Sequence, residues 1–339
     1  MGTTALVTGG RGFIASALVP ALLDAGWEVR SCGRSPRPDH LPDQVEYLRL
    51  DLAGEDDLRP LVAGVGSVFH LAGASSSRST QEQMERDNVV ATRRLLDAVA
   101  AEGADVVVHM SSTSVYGEEE QLPSPVPETV EPHPSRGYGK AKWGAERVVW
   151  EHAEAGLPVV VLRPVSVHGP GATKLLASAM LDVAIERSMG LDTVLVPATP
   201  VEQRLLHLDD LVRATIHLAG HEAARGRAFN VAMPVWPTSH EVAAVLAAQY
   251  GLGTALSDDP DCGPSTAERS AARDAMLAAG MTDDILFTPE RFRFMRKANR
   301  NNRLDLAALL GTGFEFAEVD LARAVAGLAA WYGERRWIF

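Results

Sequence analysis

The first half of the chain alternates short β-branched segments with longer segments of helical periodicity, and this alternation is the strongest constraint on its fold. Strands separated by helices pair in parallel, because each helical crossover returns the chain to the same end of the sheet. The alternation therefore predicts an α/β fold with a Rossmann-type doubly wound parallel sheet. The predicted strands are Ala5–Thr8, Glu28–Cys32, Val45–Leu50, Ser67–Leu71, Val106–Met110 and Val159–Leu162; the predicted helices follow Gly12 and cover about Glu55–Ala63, Thr80–Ala101 and Tyr138–Ala155.

After about Pro164 the periodicity becomes less regular, and helical segments are separated by loops that contain glycine and proline. This change predicts a Rossmann domain over residues 1–164 and a smaller, mostly helical lobe over 165–339. Some segments of the second half, such as 204–232, are expected to return to the first domain. The helices predicted here are Lys174–Arg187, Leu208–Ala219, Ser239–Gln249, Ala267–Ala279 and Glu318–Tyr332, with a surface loop at Ser257–Thr266.

Charge and cysteine content exclude several classes of partner. The 339 residues carry a formal net charge of −12, which repels nucleic acid and anionic membranes. The two cysteines are too few for a disulfide framework, and the histidines show no metal-ligand spacing, so we expect no metal site. The start of the chain lacks the pattern of a signal peptide, and no apolar run is long enough to span a bilayer. We therefore expect a cytoplasmic protein that binds neither nucleic acid nor membranes.

A glycine-rich turn, Thr8-Gly9-Gly10-Arg11-Gly12-Phe13-Ile14-Ala15, joins the first predicted strand to the first predicted helix. Gly9 can adopt the backbone angles of a tight turn, and Gly12 allows the main chain to approach a pyrophosphate closely. The start of the following helix offers N–H groups to that anion. The turn therefore predicts a dinucleotide site that includes Arg11, Phe13 and Ile14, whereas an ordinary strand-to-helix turn remains the alternative.

The end of the second predicted strand bears on which dinucleotide binds. An acidic residue at this point would accept hydrogen bonds from the adenosine ribose 2′-hydroxyl. The sequence here is Ser31-Cys32-Gly33-Arg34-Ser35, without an acidic residue. Arg34 suits a 2′-phosphate, with Arg11 as a second cation, so NADP(H) is favoured and NAD(H) is the alternative. Both arginines are otherwise ordinary solvated residues of the surface.

A candidate catalytic pair lies at the start of the helix predicted over Tyr138–Ala155. Tyr138 and Lys142 are four residues apart, so their side chains share one helical face. A tyrosine near a lysine and an oxidised nicotinamide has its phenolate stabilised, which allows it to act as an acid and base. The fifth predicted strand ends in Ser111-Ser112-Thr113-Ser114, and places hydroxyl groups at the edge of the sheet where such folds bind ligands.

Taken together, these segments resemble the extended short-chain dehydrogenase/reductase family, particularly its nucleotide-sugar epimerases and dehydratases. The similarity covers most of the chain and fades between about Gly251 and Asn299. The segments that carry it are TGGRGFIA, Asp51-Leu52, His70-Leu71-Ala72-Gly73, Asn88, SSTSVYG, YGKAK, Leu162-Arg163-Pro164, the segment from Arg204 to Leu211, and Ala228-Phe229-Asn230-Val231.

The resemblance implies a role for individual residues. Tyr138 would be the acid and base, Lys142 would bind the nicotinamide ribose, and Ser112 would hydrogen-bond the reacting oxygen. Asn88 would support the active-site helix, and Asp51 would bind the adenine amino group. The implied cofactor contacts also include Leu52, Leu71, Ala72, Gly73 and Pro164, and the implied substrate contacts are Ser75, Ser112, Thr113, Ser166 and Arg204.

Departures from the family pattern narrow the expected chemistry. The dehydratases carry an Asp-Glu pair directly after the catalytic hydroxyl, where this chain has Thr113 and Ser114. Ser166 replaces an asparagine that helps to hold the sugar nucleotide. The resemblance then implies an enzyme, either an epimerase acting at carbon 4 of a nucleotide-activated sugar, or an NADPH-dependent ketoreductase acting on a keto-sugar or small ketone. A catalytically inactive cofactor-binding module is a third hypothesis, and a homodimer is the expected assembly.

Overall fold

The computed structural model describes residues 4–74, 79–117, 122–135, 137–288 and 303–339, which form two compact units. The first unit comprises Met1–Val165, Asp209–Ala232 and Leu304–Glu315; the second comprises Ser166–Leu208, Met233–Arg303 and Phe316–Phe339. Nothing in the periodicity indicates that Leu304–Glu315 returns to the first unit. Tertiary contacts hold it there, since Leu304 forms a β-bridge with Val126 and Asn230 Nδ2 donates to the carbonyl of Asp305 at 3.2 Å.

The first unit contains one seven-stranded parallel sheet. The strands of the chain are β1 (Thr4–Thr8), β2 (Glu28–Gly33), β3 (Glu46–Arg49), β4 (Ser67–His70), β5 (Val106–Met110), β6 (Val159–Pro164), β7 (Ser166–His168), β8 (Thr193–Pro197), β9 (Leu205–His207), β10 (Arg227–Val231) and β11 (Gly253–Ser257). In the large sheet their order is β3-β2-β1-β4-β5-β6-β10, which confirms the predicted doubly wound fold. The order reverses between β1 and β4, and such sheets bind ligands outside the carboxyl ends of the strands at this point.

Continuous burial explains why the central strands read as apolar runs. Val106, Val107 and Val108 of β5 and the segment Val159–Val161 of β6 are all at most 1% exposed. A parallel strand covered by helices on both faces has no solvent side, so its residues do not alternate between apolar and polar. The helices of the first unit are α1 (Ala15–Asp24), α2 (Arg59–Val62), α3 (Gln81–Glu85), α4 (Ala91–Glu102), α5 (Gly137–Glu154), α7 (Leu208–Gly220, from Asp209 onwards) and α10 (Ala307–Leu310).

Two predicted helices differ from the structure. The helix expected over Glu55–Ala63 is reduced to α2, because the side chains of Asp56 and Asp57 accept hydrogen bonds from the backbone N–H groups of Asp51 and Arg59. Aspartates that bond the backbone in this way favour turns over helix. The helix expected over Thr80–Ala101 is present but divided by one π-helical segment, Arg86–Val90, between α3 and α4.

The second unit contains helices. It also contains four short strands, which the periodicity of the sequence does not predict. Its longer helices are α6 (Leu176–Ser188), α8 (Ser239–Gln249), α9 (Thr266–Ala278) and α11 (Leu321–Glu334). Strands β7 and β9 form one parallel pair, and β8 and β11 form another. Strands of three to five residues are too short to produce a periodic pattern, and β11 begins with glycine and is mostly exposed. Among the described residues, no helix is both long and apolar enough to cross a membrane.

A buried ion pair joins α5 to β6 within the first unit. Arg163 Nη2 lies 2.5 Å from Glu146 Oε1, and the two side chains are 4% and 0% exposed. Glu146 also accepts a hydrogen bond from Ser111 Oγ at 2.5 Å, and Arg163 Nη1 donates to the hydroxyl of Tyr116 at 3.0 Å. Tyr116 in turn donates to Asn230 Oδ1 at 2.6 Å. These bonds connect the ends of β5, β6 and β10 to the middle of α5.

Replacing Arg163 by methionine is expected to lower the free energy of unfolding by about 3–5 kcal/mol, because Glu146 is left as an uncompensated buried carboxylate. Urea unfolding followed by tryptophan fluorescence measures the loss. The matched control is Arg93→Met, which removes the exposed pair with Glu151 and should cost at most ~1 kcal/mol. Equal losses of unfolding free energy in the two variants would show that the buried pair stabilises the protein no more than the exposed pair.

Candidate functional site

The glycine turn is held against the ends of β1 and β2. Gly9 has a φ of 73°, in the left-handed region that favours glycine, and a Cβ on it would lie 3.1 Å from the backbone of Ala72. The N–H groups of Gly9 and Gly10 both donate to the carbonyl of Cys32 at 3.1 Å, and Gly12 N–H donates to Gly9 O at 2.7 Å. The predicted turn is therefore tight, and it passes directly into α1.

A cavity of about 340 Å³ opens beside this turn. Its walls come from the glycine turn, the end of β2, the segment after β3, the segment after β4 and the π-helical segment. Volume and placement both fit the adenosine and pyrophosphate part of a dinucleotide, since small-molecule sites begin at about 300 Å³ and the cavity lies at the topological switch point. The lining residues are Gly9, Arg11, Gly12, Cys32, Gly33, Arg34, Ser35, Tyr47, Leu50, Asp51, Leu52, Leu71, Ala72, Gly73, Asp87 and Ala91.

Most of the predicted cofactor residues of the first unit line this cavity, and a few do not. Phe13 and Ile14 are half-buried at the entrance to α1, outside the cavity lining. Pro164 ends β6, also outside that lining, and its carbonyl lies 3.4 Å from Thr113 Oγ1. The predicted substrate residue Ser75 lies outside the described residues.

Four charged side chains form a row along the cavity, which we call the charge row: Arg34, Asp87, Arg86 and Asp51. Arg34 Nη1 lies 3.0 Å from Asp87 Oδ2, and Arg86 Nη1 lies 2.8 Å from Asp87 Oδ1. Arg86 Nη2 lies 2.5 Å from Asp51 Oδ2. Partial burial raises the pKa of Asp51, but the hydrogen bonds from Arg86 and Ala53 outweigh it and hold that pKa below its usual value. Arg34 and Asp51 are predicted from the sequence, whereas their partners Asp87 and Arg86 follow only from the tertiary fold.

The predicted catalytic residues Tyr138, Lys142 and Ser112 lie together next to the cavity. Tyr138 and Lys142 are one turn apart on α5, and Ser112 hydrogen-bonds the phenol of Tyr138. Burial raises the pKa of Tyr138 to about 12, although the bond with Ser112 opposes this shift. Burial lowers the pKa of Lys142 to about 8, and the carboxylate of Glu146 acts in the opposite direction. The arrangement can transfer a proton to or from a ligand oxygen near the phenol.

Asn88 connects these residues to the cavity. It lies in the π-helical segment and is 1% exposed, and its Nδ2 donates to Met84 O at 2.8 Å and to Ala74 O at 3.2 Å. Its Oδ1 is buried and has no hydrogen-bond partner among the described residues. A Cβ on Gly73 would lie 2.5 Å from this Oδ1 and 3.7 Å from Lys142 Nζ, so glycine is needed for the three groups to approach one another. An unpaired buried acceptor next to an ammonium group is suited to a bound hydroxyl or water.

A buried histidine, absent from the sequence predictions, supports this part of the site. His70 at the end of β4 bonds Thr8 Oγ1 at 2.8 Å through Nδ1 and Thr92 Oγ1 at 2.9 Å through Nε2. Thr8 Oγ1 also accepts the N–H groups of Leu71 and Ala72, which fixes the turn that lines the cavity. Burial and then the charge of Lys142 lower the pKa of His70 to about 3, so the ring is neutral. In the sequence, His70 is part of the segment His70-Leu71-Ala72-Gly73 that carries the family resemblance, but its role follows only from the tertiary fold.

Two predicted substrate residues, Ser166 and Arg204, belong to the second unit. Ser166 begins β7 and is paired with Leu205 of β9, so Arg204, one residue earlier, lies at the same end of this strand pair. Ser166 Oγ is buried and has no hydrogen-bond partner among the described residues. Burial lowers the pKa of the half-buried Arg204 to about 10. The backbones of Ser166 and Arg204 therefore lie near one another within this unit.

Known proteins resemble this chain in sequence. The family model described as NAD dependent epimerase/dehydratase family matches residues 5–232. Cinnamoyl-CoA reductase 1 of Petunia hybrida is 34% identical over 187 residues, which is 50% of this chain and 56% of that protein. The chain spans about half to two thirds of the length of most of the curated relatives that it matches.

Two solved structures resemble the whole chain. The UDP-glucose 4-epimerase of Thermotoga maritima with UDP-glucose has a TM-score of 0.76 and 21% identity, covering 98% of this chain and 99% of that one. MoeE5 in complex with UDP-glucose and NAD has a TM-score of 0.71 and 25% identity, with the same coverage. At these identities the likeness supports the fold.

The lowered pKa of Lys142 predicts a pH dependence of stability. Between its folded pKa of about 8 and its ordinary value of 10.5, the unfolded chain binds a proton that the folded protein has released, so stability gains a positive contribution as pH rises. Relative to Lys142→Met, the wild type should gain about 1.4 kcal/mol of unfolding free energy per pH unit above about pH 8. Urea unfolding at pH 7, 8, 9 and 9.5 measures this difference. A difference that stays constant with pH would contradict the assignment.

Proposed function

Because this chain belongs to the NAD dependent epimerase/dehydratase family, we propose that it is an NAD(P)-dependent oxidoreductase that epimerises carbon 4 of a nucleotide-activated sugar. The observation that carries the proposal is the cluster of Ser112, Tyr138 and Lys142, which lies beside a cavity that fits a dinucleotide. Such a cluster suits the oxidation of a secondary alcohol and the reduction of the resulting ketone, since both steps need a proton moved at one oxygen.

The first unit would bind the dinucleotide. The N–H groups at the start of α1 would bind the pyrophosphate, and the turn from Leu71 to Gly73, which lines the cavity, would contact the cofactor. Asp51 would bind the adenine amino group, and Lys142 would bind the nicotinamide ribose. NADP(H) is the proposed cofactor because Arg34 and Arg11 line the cavity, while NAD(H) is the alternative.

In the proposed reaction, Tyr138 takes the proton of the substrate hydroxyl and later returns it to the keto oxygen. Ser112 donates a hydrogen bond to that oxygen and keeps it near the phenol. The chemistry that a bound nicotinamide supplies is reversible hydride transfer at the adjacent carbon. With a pKa near 12 in the free protein, Tyr138 needs positive charge nearby to act as a base, and Lys142 contributes such a charge. The buried Glu146 favours the charged form of Lys142.

The second unit would bind the sugar nucleotide. Ser166 and Arg204 offer a hydroxyl and a guanidinium at one end of a strand pair, a combination suited to a sugar and a phosphate. Thr113, next to Ser112, is the proposed substrate contact of the first unit. The Thermotoga maritima epimerase is named for UDP-glucose, and MoeE5 was solved with UDP-glucose and NAD, which supports a nucleotide-activated sugar.

An NADPH-dependent ketoreductase acting on a keto-sugar or a small ketone is the second candidate. The arginines at the cavity and the similarity to cinnamoyl-CoA reductase 1 favour it. A reductase exchanges its dinucleotide in every turnover, whereas an epimerase recovers it within each catalytic cycle. A catalytically inactive cofactor-binding module is less favoured, because the chain has the complete cluster of Ser112, Tyr138 and Lys142.

Cofactor retention separates the two enzymes. Freshly purified protein is denatured, and mass spectrometry identifies the released nicotinamide nucleotide and its ratio to protein. For the proposed epimerase we expect close to one dinucleotide per chain, because the oxidised and reduced forms are recycled in place. A protein that releases none, yet binds added NADPH, would contradict the epimerase and favour the ketoreductase.

Tyr138→Phe is expected to lower kcat for the interconversion of UDP-glucose and UDP-galactose about 10²–10⁴-fold, because the proton at the reacting oxygen loses its carrier. Dinucleotide content should stay the same, since the ring that contacts the cofactor remains. The control is Tyr250→Phe, which removes a buried hydroxyl without a hydrogen-bond partner among the described residues. Turnover by Tyr138→Phe at the wild-type rate would exclude Tyr138 as the acid and base.

A further inference from the structure

Asp87 lies between two guanidinium groups at the edge of the cavity. Its carboxylate contacts Arg34 on one side and Arg86 on the other, and its side chain is only 16% exposed. Both Asp87 and Arg34 line the cavity. Asp87 comes from the π-helical segment and Arg34 from the end of β2, so the tertiary fold alone brings them together.

We propose that Asp87 determines how strongly the protein discriminates between NADPH and NADH, because it competes with the 2′-phosphate for Arg34. This inference rests on the proposed function, in that the cavity must bind a nicotinamide dinucleotide. Arg34 follows the second strand of the sheet, where residues of this fold approach the adenosine ribose. A 2′-phosphate would accept hydrogen bonds from two N–H groups of Arg34, whereas a 2′-hydroxyl would not need both of these groups.

The charge row explains why Asp87 does not simply move away. Arg34 is 60% exposed, so its bond with Asp87 contributes little stability and is easily broken. Arg86, however, also contacts Asp87, with its Nη1 2.8 Å from Oδ1, and is itself fixed by Asp51. After Arg34 turns to a phosphate, the carboxylate therefore stays in place and remains charged. Two negative groups on one guanidinium repel each other, which weakens the binding of NADPH.

The same carboxylate does not oppose NADH. A ribose 2′-hydroxyl carries no charge, and it can donate a hydrogen bond to a carboxylate. The two cations and two carboxylates of the charge row have no net charge together, so the row as a whole does not favour an anion in the free protein. Arg34 by itself favours NADPH, and Asp87 offsets part of that preference.

A different role for Asp87 predicts the opposite change in the affinity for NADPH. If Asp87 served to orient Arg34 towards the phosphate, its removal would weaken NADPH binding. The competition proposed here predicts that removal strengthens it. The direction of the change therefore decides between the two roles.

The test is the dissociation constant of NADPH and of NADH, measured by fluorescence titration for the wild type and for Asp87→Asn. Asparagine has the same shape without the charge, so we expect NADPH to bind about tenfold more tightly and NADH to change less than threefold. Asp97→Asn is the control, because Asp97 lies outside the cavity lining, and the same change of charge there should leave both constants unchanged. In an Arg34→Ala background the gain should shrink, since the guanidinium for which Asp87 and the phosphate compete is absent.

The outcomes separate the two proposals. A wild type that binds neither dinucleotide overturns the proposed function. A wild type that binds NADH, with a ratio of the two constants that changes less than twofold in Asp87→Asn or moves towards NADH, overturns the role of Asp87 alone. Thermal unfolding of each variant verifies that the first unit is folded.

Discussion

The bond between Glu146 and Arg163 holds the candidate catalytic residues in register with the sheet. Glu146 lies one turn after Lys142 on α5, and it also accepts a hydrogen bond from Ser111, the neighbour of Ser112. Helix α5 is thereby fixed at once to the end of β5 and to β6. The distance between Ser112 and the phenol of Tyr138 depends on this anchoring. A neutral hydrophobic contact would permit sliding of the helix, whereas hydrogen bonds to a buried carboxylate define one position.

Local signals sufficed for much of the fold and of the site. The valine runs at 106–108 and 159–161 predicted strands because parallel strands are buried on both faces, and the Tyr138–Lys142 spacing predicted a shared helical face. These features depend on residues that are close in sequence. The glycine turn belongs to the same class, since its positive φ at Gly9 and the bond from Gly12 N–H to Gly9 O join residues that are close in sequence.

The features that the sequence did not reveal depend on distant residues. Arg34 and Asp87 are 53 positions apart, and nothing near either one shows that they meet. The segment Ala228–Val231 was recognised through family resemblance, and its place in β10 beside β6 depends on tertiary pairing. The strand pairs of the second unit are too short for a period to appear. Propensity and periodicity describe neighbours in sequence, and contacts between remote segments lie beyond their range.

The geometry of the π-helical segment Arg86–Val90 and of its flanking helices depends on the number of residues in the segment. A π turn accommodates one residue more than an α turn, so it rotates the faces of α3 and α4 relative to each other. That rotation lets adjacent residues serve different surroundings: Asp87 faces the cavity, and Asn88 faces the interior. A one-residue deletion would restore a regular helix but turn one of these side chains away. Substitutions can adjust the chemistry of this segment, while insertions and deletions alter its geometry, so homologous chains that share the site should align here without gaps.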